Sequence, residues 1–331
     1  MSKRKKWMLI TVVCSLGILM GTTVVFFHHR KEDKQISLMY IPKIIDESND
    51  FWTALLAGVK TAADEYGVHL EVVAPNSEED YQGQNALIQE ILKREEKPDA
   101  LIISPVSYTK STELLEKVKE QGICLVLIDS DVDKDIDDLQ VATDNLEAGK
   151  HLGEYVKQIL PQGKKVAVVG HVEGASTAIE REEGFREGLG ERQKDYVEVV
   201  YCGSQYQKAY DLAMELLEKY PDLGMIAGLN EYSAVGAARA VRDMNAQETI
   251  SMVGIDSSQE GITMMEQGIF KGFVIQKPFK MGYLGVKDTV EMLRGEKVPR
   301  KINAGSELVT PENMYTAENE KLLFPFNEKQ S

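Results

Sequence analysis

From residue 35 onward, short unbroken apolar runs alternate with stretches whose apolar positions recur every three or four residues. Unbroken runs read as strands buried on both faces, and the longer spacing reads as helix. The predicted strands are ISLMYI (36–41), VHLEVVA (68–74), ALIIS (100–104), ICLVLI (123–128), KVAVVG (165–170), YVEVVY (196–201), GMIAGL (224–229), ISMVGI (250–255) and FVIQ (273–276). Helices are predicted over Phe51–Tyr66, Tyr81–Glu96, Thr109–Gln121, Asn145–Leu160, Ala178–Leu189 and Phe279–Arg294. Further helices end at Tyr220 and Met244, and one lies near 259–267. Gly67, Gly122 and Gly190 sit where a helix stops, and Pro161 closes another. Strands alternating with helices imply parallel sheets covered on both faces. About ten such units exceed one small sheet, so an α/β fold of two doubly wound lobes is the expected architecture. A closed eight-stranded α/β barrel is the competing fold.

The N-terminus has a different pattern. KRKK (3–6) precedes an uncharged apolar run from Trp7 to Phe27, long enough to cross a hydrocarbon core as a helix. The basic flank predicts a cytoplasmic N-terminus, with the rest of the chain outside. The run ends in VVFFHHRK without a small-residue cleavage site, and Cys14 lies mid-run rather than just after it. A retained single-pass anchor over 1–27 is the expectation, with a cleaved signal or lipoprotein signal as the alternative. Residues 28–35 read as a polar linker, and His28 and His29 as its flank rather than a metal site.

Composition narrows the function. The 331-residue chain carries a formal net charge of −15, which disfavours nucleic-acid binding. GxSxG, HExxH and the GxxxxGK[ST] phosphate loop are all absent, and five histidines form no catalytic cluster, so an enzyme is not expected. No cofactor or metal is expected: the acidic run DSDVDKDIDD (129–138) lacks the glycine and terminal glutamate of a calcium loop and reads as a solvated loop. Cys124 and Cys202 are expected to be free buried thiols.

In open α/β sheets ligands bind beyond the carboxyl ends of the strands. There the sequence places Asp129 and Ser130, Asn230 and Glu231, Asp256, and Gln276. Lys43, Phe51 and Trp52 follow the first strand, and Arg181 follows KVAVVG. Planar Asp, Asn, Gln and Arg groups suit a polyol, because each can engage two neighbouring hydroxyls. Phe51 and Trp52 suit the C–H faces of a sugar ring.

The segments IPK…NDFW (41–52), PDALIISP (98–105), ATDN (142–145), EREEGF (180–185), GLNEYSAVGAARAV (228–241), MVGID (252–256), IQKPFKMGYLGVK (275–287) and LVTPENM (308–314) occur in order. With them the chain resembles the type I periplasmic sugar-binding proteins, ribose-binding-protein-like solute-binding proteins of ABC importers, from about residue 36 to about 315. The resemblance implies two Rossmann-like lobes joined by a three-strand hinge, with crossings near Thr143, Lys277 and Gly305. The first lobe would hold 36–142 plus 278–304, and the second 144–276 plus 306–331. It implies that Phe51 and Trp52 sandwich the sugar, while Asp129, Arg181, Asn230, Asp256 and Gln276 hydrogen-bond it. Lys43 resembles a ligand-contacting lysine of some relatives, and Tyr206 a second-lobe aromatic. Ser130 stands where ribose binders carry arginine, and Glu231 where the family has aspartate, so the resemblance does not name the sugar. The implied partner is an ABC permease. A membrane sensor histidine kinase is the alternative.

Overall fold

The computed structural model describes residues 35–323. The anticipated anchor and most of the linker lie outside the described residues.

Two open six-stranded sheets form the frame. The first contains β1 (Ser37–Ile41), β2 (His69–Val72), β3 (Ala100–Ile103), β4 (Cys124–Ile128), β5 (Leu139–Ala142) and β11 (Lys301–Asn303), in the order β11-β5-β4-β3-β1-β2. The second contains β6 (Lys165–Gly170), β7 (Tyr196–Tyr201), β8 (Leu223–Gly228), β9 (Ser251–Ile255), β10 (Phe270–Gln276) and β12 (Ser306–Val309), in the order β12-β10-β9-β8-β6-β7. All pairings are parallel except β10 with β12. Both sheets reverse their winding beside their first strand, which opens a crevice at the carboxyl ends. Two separate open sheets exclude the closed barrel.

The sheets are buried because their strands are apolar throughout: β3 is wholly buried, and so is β8. Three strands escape the sequence reading. Leu139–Ala142, Lys301–Asn303 and Ser306–Val309 have only three or four residues each, and their burial is partial. Their pairing is set by the neighbouring strand, not by a hydrophobic run of their own.

The chain passes between the sheets three times. From β5 it enters helix α4 (Asn145–Ile159), which packs on the second sheet. From β10 it enters α9 (Pro278–Leu293), which packs on the first. The last passage is the short link from β11 to β12.

Each lobe carries one helix pair in backbone-to-backbone contact. In the second lobe, α4 crosses α5 (Ser176–Leu189) through Gly149, Gly153, Gly184 and Gly188. A Cβ at Gly184 would lie 2.0 Å from the Leu146 carbonyl oxygen, and one at Gly149 2.2 Å from that of Arg181. In the first lobe, α1 (Asp50–Tyr66) crosses α9 in the same manner. A Cβ at Gly58 would lie 2.1 Å from the Phe279 carbonyl oxygen, and one at Gly282 2.2 Å from that of Leu55. These crossings fix the helices that carry Phe51, Trp52 and Arg181.

Cys124 and Cys202 are both free. Cys202 is buried, whereas Cys124, at the start of β4, is only partly so.

Candidate ligand-binding site

The strand-end residues of both sheets meet in one closed cleft. Its walls are Lys43, Asn49, Phe51, Trp52, Glu78 and Asp129 from the first lobe, and His171, Thr177, Arg181, Asn230, Glu231, Tyr232, Asp256 and Gln276 from the second side. Nine of the eleven residues singled out from the sequence line it: Lys43, Phe51, Trp52, Asp129, Arg181, Asn230, Glu231, Asp256 and Gln276. Ser130 and Tyr206 do not. The Ser130 hydroxyl donates to Asp129 Oδ2 at 2.7 Å, and the Tyr206 hydroxyl donates to Glu231 Oε1 at 2.6 Å.

Local chain geometry aims these groups. Asn49 caps α1 by accepting from the Trp52 amide, which sets the first turn that holds Phe51 and Trp52. Asn230 caps α7 (Glu231–Asp243) in a capping box with Ser233. Asp129 and Asp256 occupy equivalent places after β4 and β9, both in the left-handed region (φ 71° and 64°) that aspartate tolerates better than most residues. Phe51 and Trp52 are edge to face at 5.1 Å, so they form one corner of the cleft rather than two parallel plates.

The polar walls are tightly paired. Lys43 Nζ lies 3.0 Å from Asp129 Oδ2 and donates to Thr177 Oγ1 across the cleft at 3.4 Å. Arg181 donates to Asn145 Oδ1 and to the Leu229 carbonyl, each at 2.8 Å, and its Nη1 lies 3.9 Å from Asp256 Oδ2. Gln276 Nε2 donates to both Asp256 oxygens at 3.0 Å. Gln276 Oε1 and His171 Nδ1 are buried and face no protein partner.

Burial would raise the Asp129 carboxyl, but Lys43 and then Arg181 hold it below the usual range. Burial, reinforced by Arg181 and Lys43, keeps His171 neutral. Burial pushes Asp256 up to about 6 against the pull of Arg181, and Glu231 up to about 8 against its bond from Tyr206.

The sign of this electrostatics gives a pH prediction. Asp256 and Glu231 have raised values in the closed cleft, so closure takes up protons. Its advantage is complete below their ordinary carboxylate values and lost as pH rises through about 6 and about 8. Ligand affinity should therefore weaken from pH 5 to pH 8 and then level. Glu231→Gln should flatten the upper part of that curve in a calorimetric titration. Asp129 acts in the opposite sense, but only in acid, below its ordinary value.

The lobes touch directly around the cleft. The Tyr232 hydroxyl donates to Asp46 Oδ2 at 2.6 Å, the Phe51 amide to Glu231 Oε2 at 3.2 Å, and the Gln259 amide to Asp50 Oδ2 at 3.1 Å. On the other flank the Asp131 amide donates to Ser176 Oγ at 2.9 Å. The closed cleft leaves about 20 Å³, the size of a water molecule, so any larger ligand enters only when the lobes part. A wider cavity of about 650 Å³ adjoins it through Phe51, Asp256 and Gln276 and is walled largely by apolar side chains such as Ile275, Phe279 and Leu323.

The sequence reading missed Asn49, Glu78, His171, Thr177 and Tyr232. Asn49 and His171 were legible as residues flanking a helix and a strand end. Glu78 and Thr177 had no such mark.

Two doubly wound lobes meeting at their strand ends over a buried polar cleft define a two-lobed binding protein. Residues 41–297 match the family described as periplasmic binding protein domain, and the chain belongs to that family. It is a solute-binding protein, not an enzyme.

A sugar transporter structure from Clostridium phytofermentans is 43% identical, with a TM-score of 0.79 over 83% of this chain and 99% of that one. A solute-binding protein from Agrobacterium vitis, solved with D-fucose, is 27% identical at a TM-score of 0.82, over 86% of this chain and 99% of its own. The ribose import binding protein of Haemophilus influenzae is 27% identical over 262 residues, 79% of this chain and 88% of the relative. Among the described residues no helix is long and apolar enough to cross a membrane.

Proposed function

We propose that the protein binds a sugar in the interlobe cleft, outside the cytoplasm, and delivers it to the permease of an ABC importer. The observation that carries this reading is the convergence of buried Asp129, Arg181, Asn230, Asp256 and Gln276 with Phe51 and Trp52 on one cleft. Planar groups of both polarities match a ring of hydroxyls, each donor and acceptor, and the aromatic corner matches its C–H edge. The names of the relatives, for ribose, allose and fucose, agree with a monosaccharide.

Binding shifts the lobes from open to closed, because only the closed form offers both half-sites together. The lobes divide near Thr143, Lys277 and Gly305. The apolar run 7–27 holds the protein at the membrane as a single-pass anchor beside its partner. Such tethering also suits a sensor histidine kinase. Crosslinking in membranes distinguishes the two by which protein is captured only when sugar is present.

A thermal-shift screen of pentoses, hexoses, 6-deoxyhexoses and polyols tests the reading. A ligand at a hundred times its Kd should stabilise by about 2.7 kcal/mol, roughly 5–10 °C in a protein of this size. A flat panel on well-folded protein would remove sugar binding.

A further inference from the structure

Glu78 lies in the loop after β2, away from the strand ends, yet its carboxylate is buried in the cleft wall. Its two oxygens face different lobes. Oε1 accepts from the indole Nε1 of Trp52 at 2.5 Å, on α1 of the first lobe. Oε2 accepts from the hydroxyl of Ser204 at 2.7 Å, in the second lobe's loop between β7 and α6 (Tyr206–Lys219). The loop is built for this approach. Ser204 has φ 54°, and Gly203 before it comes so near that a Cβ there would lie 2.5 Å from Glu79 Oε2. Asn230, itself in the cleft wall, donates to Ser204 Oγ at 3.4 Å.

We infer that Glu78 is a positioning residue for ligand binding: it clamps the indole of Trp52 and ties that orientation to arrival of the second lobe through Ser204. A carboxylate open to water holds an indole N–H weakly, because water competes for both groups. When the lobes meet, Ser204 covers the second oxygen and water leaves, and the first bond strengthens in the drier surroundings. The aromatic corner is thus set at closure, when the ring of the ligand is held against it. Burial makes this carboxylate costly to leave half-paired, so the clamp favours the closed form only if both partners are present.

The inference rests on the sugar-binding reading, and the experiment separates the two. Full-length protein carrying Trp7→Phe leaves Trp52 as its single tryptophan. In it, Ser204→Ala, Glu78→Ala, their double variant and Glu78→Gln are compared by titration with whichever sugar the screen identifies, and by acrylamide quenching at saturating sugar. Ser204→Ala should weaken affinity about tenfold, the effect of one hydrogen bond to a charged group. Glu78→Ala should weaken it further, and the double variant should match Glu78→Ala alone, because the serine acts through the carboxylate. Glu78→Gln keeps an acceptor for the indole and should recover part of the loss. Quenching of Trp52 should rise in Ser204→Ala, although the serine does not touch the ring. Additive affinities, or unchanged affinity in both single variants, overturn the clamp. Should no sugar bind even the unsubstituted protein, the functional reading fails and takes the clamp with it; a sugar that binds while Ser204→Ala leaves the Trp52 quenching of the bound protein unchanged overturns the clamp alone.

Discussion

Asp129→Ala is expected to weaken sugar binding by at least about 30-fold and up to a few thousand-fold, the cost of removing one member of a buried, hydrogen-bonded charge pair. Asp129 is 3% exposed and pairs with Lys43 at 3.0 Å. Its removal strips hydroxyl-accepting oxygens from the first-lobe wall and leaves the Lys43 ammonium buried without its ion-pair partner, donating to Thr177. The fold should survive, since Asp129 follows β4 rather than lying within it, though a lower melting temperature is expected from the unpaired lysine. Asp129→Asn keeps the shape and should lose less. Titration calorimetry and circular dichroism on the same samples check both halves. Arg181→Ala should abolish binding, with a greater stability cost: Arg181 also donates to Asn145 Oδ1 and the Leu229 carbonyl, two acceptors that would lose that donor. Near-native affinity in both alanine variants would sink the assigned cleft.

Gly184→Val should have the largest effect on stability. The added Cβ meets the Leu146 carbonyl oxygen at 2.0 Å, and backbone cannot rotate aside as a side chain does. The two helices must separate, at a cost of about 1–3 kcal/mol or more. That lowers the melting temperature by several degrees, at roughly 2–4 °C per kcal/mol. Because α5 carries Arg181 and α4 carries Asn145, the same shift moves the cleft wall, so affinity should fall with stability. Glu187→Val, exposed on the same helix, controls for the poor helix propensity of valine and should cost only a few tenths of a kcal/mol. Equal melting temperatures for the two variants would contradict the close crossing.

Much of the architecture was legible in the chain. Strands such as KVAVVG and ALIIS are continuous apolar runs, and in doubly wound sheets such runs are buried on both faces whatever surrounds them. The strand ends were therefore legible as well, and with them Asp129, Asn230 and Asp256. The short strands at 139–142, 301–303 and 306–309 were not. Each is too short to show a period, and partial burial dilutes its apolar signal. Tyr206 illustrates the limit for a helix start: its position was anticipated, but its hydroxyl turns to Glu231 behind the cleft wall.

The sequence alone determined the alternation of elements, the acidic surface, the apolar N-terminal run and the residue types waiting at the strand ends, because these depend on local period and composition. Tertiary structure decided which of those residues share a wall and how they are charged. Lys43 and Asp129 are 86 positions apart yet form one buried pair. Glu78 joins Trp52 to Ser204 across the two lobes. Contacts of this kind depend on how two sheets, each folded by its own pattern, come together, and no local period records the distance between residues that meet only when the cleft closes.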